Sequence, residues 1–310
     1  MKITLNNTST REIAESLLHG QELFSLATGR VLTLLVVARA SDDLDSVLLT
    51  VREATREHPA RVLVLVCGDP AAATSIDAEV VLTAEAGASE MVVMHLAGEL
   101  VGHPASVVTP LLLPDTPIVA WWPTAAPTTP ADSPLGVIAQ RRITDASRED
   151  PGSALLRLNG GYAAGDSDMM WSRITMWRGN VAAALDHNPG AAIRSVRIIG
   201  PADDPSVDLA AGWLASCLRV DVERRFTTGR CPIVRNVPIT ELVIERDDGA
   251  VTVSVIDERT VRVSSPGLPD SHVAMTARTD AECLAEELRH LDPDTAYARA
   301  LAGLEHVITP

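Results

Sequence analysis

Residues 31–67 read as strand, helix, strand, and both strand segments are apolar almost without a break. The first, 31–38 (VLTLLVVA), has no alternating polar face, so it needs cover on both sides. Leu44, Val47, Leu48, Val51 and Ala54 then recur on one helical stripe. Ser41-Asp42-Asp43 ahead of them supplies a cap and two acids at the positive end of that helix. The helix must stop before His58-Pro59, because proline excludes the α conformation from the residue before it. A second apolar run, 62–67, ends at Gly68-Asp69-Pro70. Two buried strands joined by a helix form a βαβ unit, which requires a parallel sheet flanked by helices.

The pattern continues towards residue 160. Ser9-Thr10-Arg11-Glu12 fits a capping box opening an N-terminal helix. Further strands are expected at 79–84, 91–96 and 118–122, with a helix over 100–112 despite Pro104 and Pro110. The last of these strands, IVAWW, lies between Pro117 and Pro123 and leads into a Pro-, Thr- and Ala-rich loop over 123–134. Trp121 and Trp122 thus stand at the C-terminal end of a strand, where open α/β sheets carry their working surface. Trp122 is expected to be less buried than Ile118 and Val119. The pair forms either a surface for a partner or a cap on the core. Asp115, in a turn, is the only titratable group nearby, so a reaction centre is not indicated.

At 310 residues the chain exceeds one ordinary core, and Gly160-Gly161 is the expected border between domains at 1–160 and 161–310. Beyond it, Asp166-Ser167-Asp168 reads as the cap of a long helix buried along Met170, Ile174, Trp177, Val181 and Leu185. A strand at 194–199, a helix at 205–218 and a strand at 220–226 follow. Short strands at 239–245, 251–256, 261–264 and 272–277 form a meander, its first turn made by Asp247-Asp248-Gly249. Helices at 281–291 and 295–304 close the chain. The fold class is therefore two α/β domains: a mainly parallel N-terminal sheet, then an α/β domain with an antiparallel meander and terminal helices.

Catalytic motifs are missing. The turn after the first apolar strand, Arg39-Ala40-Ser41-Asp42, lacks the glycines of a dinucleotide loop. No phosphate-loop, nucleophile-elbow or HExxH pattern occurs. The eight histidines are scattered, and acid pairs such as Asp42-Asp43 sit at caps and turns. Neither a cofactor nor a metal is expected. A net charge of −15 argues against nucleic-acid and anionic-membrane surfaces. No stretch reaches the ~18 consecutive apolar residues of a membrane helix, and the N-terminus lacks a signal-peptide core. A cytoplasmic protein with reduced cysteines is expected, Cys231 being the one placed for a lowered pKa. Trp171, Arg173, Trp177 and Arg178 cluster on one predicted helix. They read either as core packing with arginines at the rim or as a surface for a partner or an anion. Arg141 and Arg142 are either a solvated pair or a fork for phosphate or carboxylate.

Four blocks carry a resemblance: REHPARVLVLV (56–66), LLPDTPIVAWWP (112–123), RRITDA (141–146) and DMMWSRITMWR (168–178). In this order and at these spacings they resemble the OpcA family, glucose-6-phosphate dehydrogenase assembly proteins of actinobacteria. The resemblance implies a non-catalytic partner of glucose-6-phosphate dehydrogenase that stabilises the active oligomer. Trp121, Trp122, Arg141, Arg142, Trp171, Arg173, Trp177 and Arg178 are then the expected partner-binding residues. The competing reading is a sugar-phosphate-binding protein or enzyme that holds phosphate with Arg141, Arg142, Arg173 and Arg178.

Overall fold

The computed structural model of the chain describes residues 1–23, 31–83, 90–149, 151–227 and 238–310. Its packing separates two units, each with its own sheet. The first comprises Met1–Arg148, Gly161–Met169 and Asp280–Pro293; the second comprises Glu149–Gly160, Met170–Thr279 and Asp294–Pro310. Residues 149–160 thus group with the second unit, and 161–169 and 280–293 with the first.

In the first unit the elements run β1 (Lys2–Leu5), α1 (Thr10–Leu23), β2 (Leu32–Arg39), α2 (Leu44–Ala54), β3 (Ala60–Cys67), β4 (Ser75–Leu82) and β5 (Glu90–Ala97). Then come α3 (Pro104–Val108), β6 (Ile118–Trp121), β7 (Arg141–Thr144) and β8 (Asp166–Asp168). The sheet order is β1-β4-β5-β3-β2-β6-β7-β8. From β5 to β8 every pairing is parallel, and β4 and β1 add an antiparallel edge. The sheet is mainly parallel, as the uninterrupted apolar runs required.

Because successive side chains of a strand point to opposite faces, β2 and β3 feed two cores. Leu35, Leu63 and Leu65 meet Ile13 and Leu17 of α1 and Val107 and Val108 of α3. Leu34, Val36, Val62 and Val64 meet Val47 and Val51 of α2 together with Leu284 and Leu288. The last two come from the helix Asp280–Arg289, which covers this sheet rather than the second. At the N-terminus the capping box forms: Ser9 N donates to Glu12 Oε2 at 2.9 Å and Glu12 N to Ser9 Oγ at 3.3 Å.

Two expected helices are corrected. Residues 100–112 form a 3-10 turn (Gly98–Gly102), α3 and a second 3-10 turn (Thr109–Leu111), because Pro104 and Pro110 lack the amide a continuous helix needs. Asp166–Asp168 is not a cap but the buried edge strand β8, paired with β7, and the long helix expected after it is two, Met169–Arg173 and Thr175–Asp186, broken at Ile174.

The second unit holds α4 (Pro151–Gly160), α5 (Met169–Arg173, its first residue grouped with the other unit), α6 (Thr175–Asp186), β9 (Ile193–Gly200), α7 (Pro205–Leu218) and β10 (Val222–Phe226). The meander is β11 (Glu241–Arg246), β12 (Gly249–Asp257), β13 (Thr260–Ser264) and β14 (Ser271–Ala274). After the sheet-covering helix, now α8 (Asp280–Arg289), the chain ends in α9 (Thr295–Ala302) and β15 (Val307–Ile308). The order is β14-β13-β12-β11-β9-β10-β15. Arg246 faces Gly249 across a two-residue turn, and Gly249 has φ +124, a conformation that glycine takes without steric cost. α7 and α9 pack along each other. A Cβ on Gly303 would stand 2.0 Å from the Gly212 carbonyl oxygen, so this helix packing depends on the glycine pair.

Placing Leu284 in the first core has a measurable consequence. Leu284→Ala removes a fully buried side chain and should cost about 2–5 kcal/mol, read as a lowered urea midpoint. A loss comparable to that of a surface substitution would contradict the assignment.

Candidate functional site

The parallel strands run in the order third, second, first, fourth, fifth, sixth, which is the order of dinucleotide-binding sheets. The crevice where such sheets hold a pyrophosphate lies at the strand-order reversal, between β2 and β6. Here the turn after β2 is Ala40-Ser41-Asp42-Asp43. Asp42 Oδ2 accepts from Arg39 N and from Thr124 Oγ1, both at 2.7 Å. Thr124 comes from the loop after β6, so one carboxylate ties the two sides of the crevice together. Asp43 Oδ1 accepts from Ser46 N at 3.2 Å and occupies the N-terminus of α2, the position a phosphate would take. Two carboxylates at that point repel an incoming pyrophosphate.

The neighbouring tryptophans are core residues. Trp121 is 2 % exposed and packs with Val36 and Val119 on one face; Trp122 is 4 % exposed and packs with Leu35 and Leu135 on the other. The expectation for Trp122 is half right. It is more exposed than Val119, at 0 %, but more buried than Ile118, which is only partly covered. The loop over 123–134 folds back, Leu135 and Ala139 just beyond it joining the same cluster as Trp122.

Arg141 and Arg142 are buried, not solvated. Arg141 Nη2 donates to Glu287 Oε2, Arg141 Nη1 donates to the Asp292 carbonyl at 3.2 Å, and Ser167 Oγ donates to the same Glu287 oxygen at 2.6 Å. Arg142 Nε donates to Asp166 Oδ1, and its Nη1 donates to the Ala139 carbonyl at 2.9 Å. Asp168 accepts from Thr144 Oγ1 at 2.6 Å and from Ala146 N at 3.0 Å. Both guanidiniums are thus neutralised inside the protein, which corrects the idea that they form a fork for an external phosphate.

In the second unit, Trp171 Nε1 donates to Asp294 Oδ2 at 2.7 Å. The Arg178 guanidinium lies 3.5 Å from the Trp171 ring centroid, and its Nη2 donates to Thr175 Oγ1 at 2.9 Å. Stacking a guanidinium on an indole face is a favourable cation–π contact. Tyr297 closes the cluster, 5.9 Å from the Trp171 ring. Trp177 packs edge-on against Trp213 at 6.2 Å. Arg173 Nη1 donates to the Arg278 carbonyl at 3.1 Å. Trp171 and Trp177 are buried, Arg173 and Arg178 are partly covered, and Met176 between them is 55 % exposed. Of the eight residues expected to bind a partner, six are therefore interior: Trp121, Trp122, Arg141, Arg142, Trp171 and Trp177. Their partners Glu287, Asp294 and Tyr297 were not singled out from the sequence; no local pattern links positions so far apart.

No group of three or more metal-ligating side chains occurs among the described residues, and no described helix is long and apolar enough to cross a membrane. Cys67 and Cys217 are free thiols, burial pushing the Cys67 thiol up; Cys283 is buried in the first core. Cys231 lies outside the described residues.

Fold and crevice together define a protein with a dinucleotide-type sheet whose phosphate position is taken by its own carboxylates. Two family profiles match it, both described as domains of a glucose-6-phosphate dehydrogenase subunit: the N-terminal domain over residues 51–160 and the C-terminal domain over 164–301. The chain belongs to the OpcA-type glucose-6-phosphate dehydrogenase assembly proteins. No curated protein matches it. Solved structures that align with it include an oxidoreductase from Sinorhizobium meliloti, at 10% identity over 90% of this chain and 97% of that one, with a TM-score of 0.43. A Gfo/Idh/MocA family oxidoreductase from Vibrio cholerae aligns at 10% identity over 88% and 95%, TM-score 0.36. An apo scyllo-inositol dehydrogenase from Lactobacillus casei aligns at 8% identity over 90% and 96%, TM-score 0.37. Scores this low do not establish a common fold.

Two outcomes follow from this geometry. Glu287→Ala strands the buried Arg141 and should cost about 3–5 kcal/mol in chemical denaturation; a near-neutral variant would refute the buried pair. Titration with NADP should produce no saturable change in tryptophan fluorescence, whereas a Kd in the micromolar range would show that the carboxylates do not block the crevice.

Proposed function

We propose that this chain is a non-catalytic, cytoplasmic assembly factor that binds glucose-6-phosphate dehydrogenase and stabilises its active oligomer. The observation that carries the reading is the pair of family profiles, both named for glucose-6-phosphate dehydrogenase and together reaching from residue 51 to 301. The crevice supports it, since Asp42 and Asp43 stand against use of a nicotinamide cofactor by the chain itself. A protein that binds the active form better than the dissociated one shifts the equilibrium by that difference in affinity and needs no chemistry of its own.

In this reading the buried tryptophans and arginines act indirectly, by holding rigid the elements that meet the enzyme. The direct contact offered is the face around Met176, with the partly covered Arg173 and Arg178 on either side. Methionine adapts to uneven partners, and arginine is enriched at binding hot spots. The sugar-phosphate alternative is not favoured at Arg141 and Arg142, because Glu287 and Asp166 already hold them.

Adding the protein to its cognate dehydrogenase should raise activity most at high enzyme dilution, where the oligomer dissociates by mass action. The protein alone should turn over no substrate. Because the chain carries −15 net charge, its attraction to basic surface on the enzyme should weaken with salt. Met176→Asp should reduce the activation with the melting temperature unchanged. Equal dehydrogenase activity with and without the protein, across dilution and salt, would reject the proposal.

A further inference from the structure

A cleft of about 550 Å³ opens in the second unit where α7 ends beside α9 and the 3-10 turn Gly303–His306. It lies within the size range of small-molecule sites. Its opening follows from the glycine packing. Gly212 and Gly303 bring the helices into backbone contact, and the small residues Ala215, Ser216 and Ala302 beside them leave the space unfilled. Arg219 and Arg299 line this space with His306. In a protein of net charge −15 most arginines pair with a carboxylate. Arg219 and Arg299 have no ion-pair partner among the described residues, Arg299 donating only to the Thr295 carbonyl at 3.2 Å. His306 Nδ1 lies 3.3 Å from Asp221 Oδ1, which puts the one lining carboxylate beside the imidazole.

Arg219 is also conformationally exceptional. It occupies the left-handed C-cap of α7 at φ 57 and ψ 44, its amide donating to the Ala215 carbonyl at 2.9 Å. Glycine fills that position at no steric cost, and a long, charged side chain there stores strain. An arginine thus stands at a cap position that glycine fills more easily, and it borders the cleft.

We propose that this cleft binds the phosphate monoester of a small polyhydroxy compound. Arg219 and Arg299 would grip the phosphate through their planar donor forks. Ser216 would donate a hydroxyl, and Asp221 would accept from the ligand's own hydroxyl groups. The cleft exceeds a lone phosphate, and the walls at Ala215 and Ala302 suit a sugar-sized body. The site is separate from Arg141 and Arg142 and does not depend on partnership with the dehydrogenase.

Calorimetric titration of the full chain with glucose 6-phosphate, inorganic phosphate and glucose tests this. Saturable binding of the sugar phosphate is expected, with inorganic phosphate weaker and glucose silent. Arg219→Gly removes the cation while relieving the backbone, so its melting temperature should not fall, yet affinity should drop by about tenfold or more. Arg299→Gln should weaken binding comparably. Absence of saturable binding by both phosphates, equal binding of glucose, or unchanged affinity in both variants would overturn the proposal.

Discussion

A parallel sheet whose central strands are apolar on both faces must be covered on both faces, and the architecture of the first unit is the solution to that requirement. One side takes α1 and the short helical turns after β5, all from the unit's own N-terminal segment. On the other side α2 covers only part of the sheet. Leu284 and Leu288 of α8 supply the rest, although the chain builds most of the second unit before reaching them. A hydrophobic face of this size cannot stay in water, at roughly 25 cal/mol for each Å² of apolar surface exposed. The late helix is thus a constituent of the first core.

The covering helix also brings charge inward. Glu287 arrives on α8 with Leu284 and Leu288 and meets Arg141 on β7. Desolvating such a pair can cost more than the attraction returns, whereas removing one partner leaves a buried charge uncompensated. The interaction therefore discriminates among arrangements more than it adds stability: a shift in how α8 lies on the sheet would leave Arg141 and Ser167 without Glu287. The same logic shapes the crevice at β2 and β6, where Asp42 and Asp43 satisfy the backbone and the opposing loop that a bound phosphate would otherwise satisfy.

What was legible in the sequence was periodic. The buried runs of β2 and β3, the helical stripe of α2, the α7 segment and the Asp-Gly hairpin each follow from a local pattern, and each is present. The failures also have a common form. Asp166-Ser167-Asp168 has the composition of a helix cap and becomes a buried strand because Arg142, Thr144 and α8 satisfy its polar groups from afar. Trp122 follows a strand end that usually opens to solvent, yet residues 135 and 139 pack over it. The arginines looked like ligands because their carboxylate partners lie up to 146 positions away. Local pattern reports propensity; it cannot report which distant group will satisfy a charge.

The path of the backbone carries a consequence for biosynthesis. The chain passes between the two units five times, and α8 belongs to the unit that the N-terminus begins. A ribosome emits residues in order, so one face of the first sheet stays only partly covered, by α2, until residues 280–289 have emerged. During that interval the exposed valines and leucines of β2 and β3 are open to chaperones and to neighbouring nascent chains. Closure of the first core thereby waits on α8: a chain that stopped before residue 280 would lack the helix that completes it.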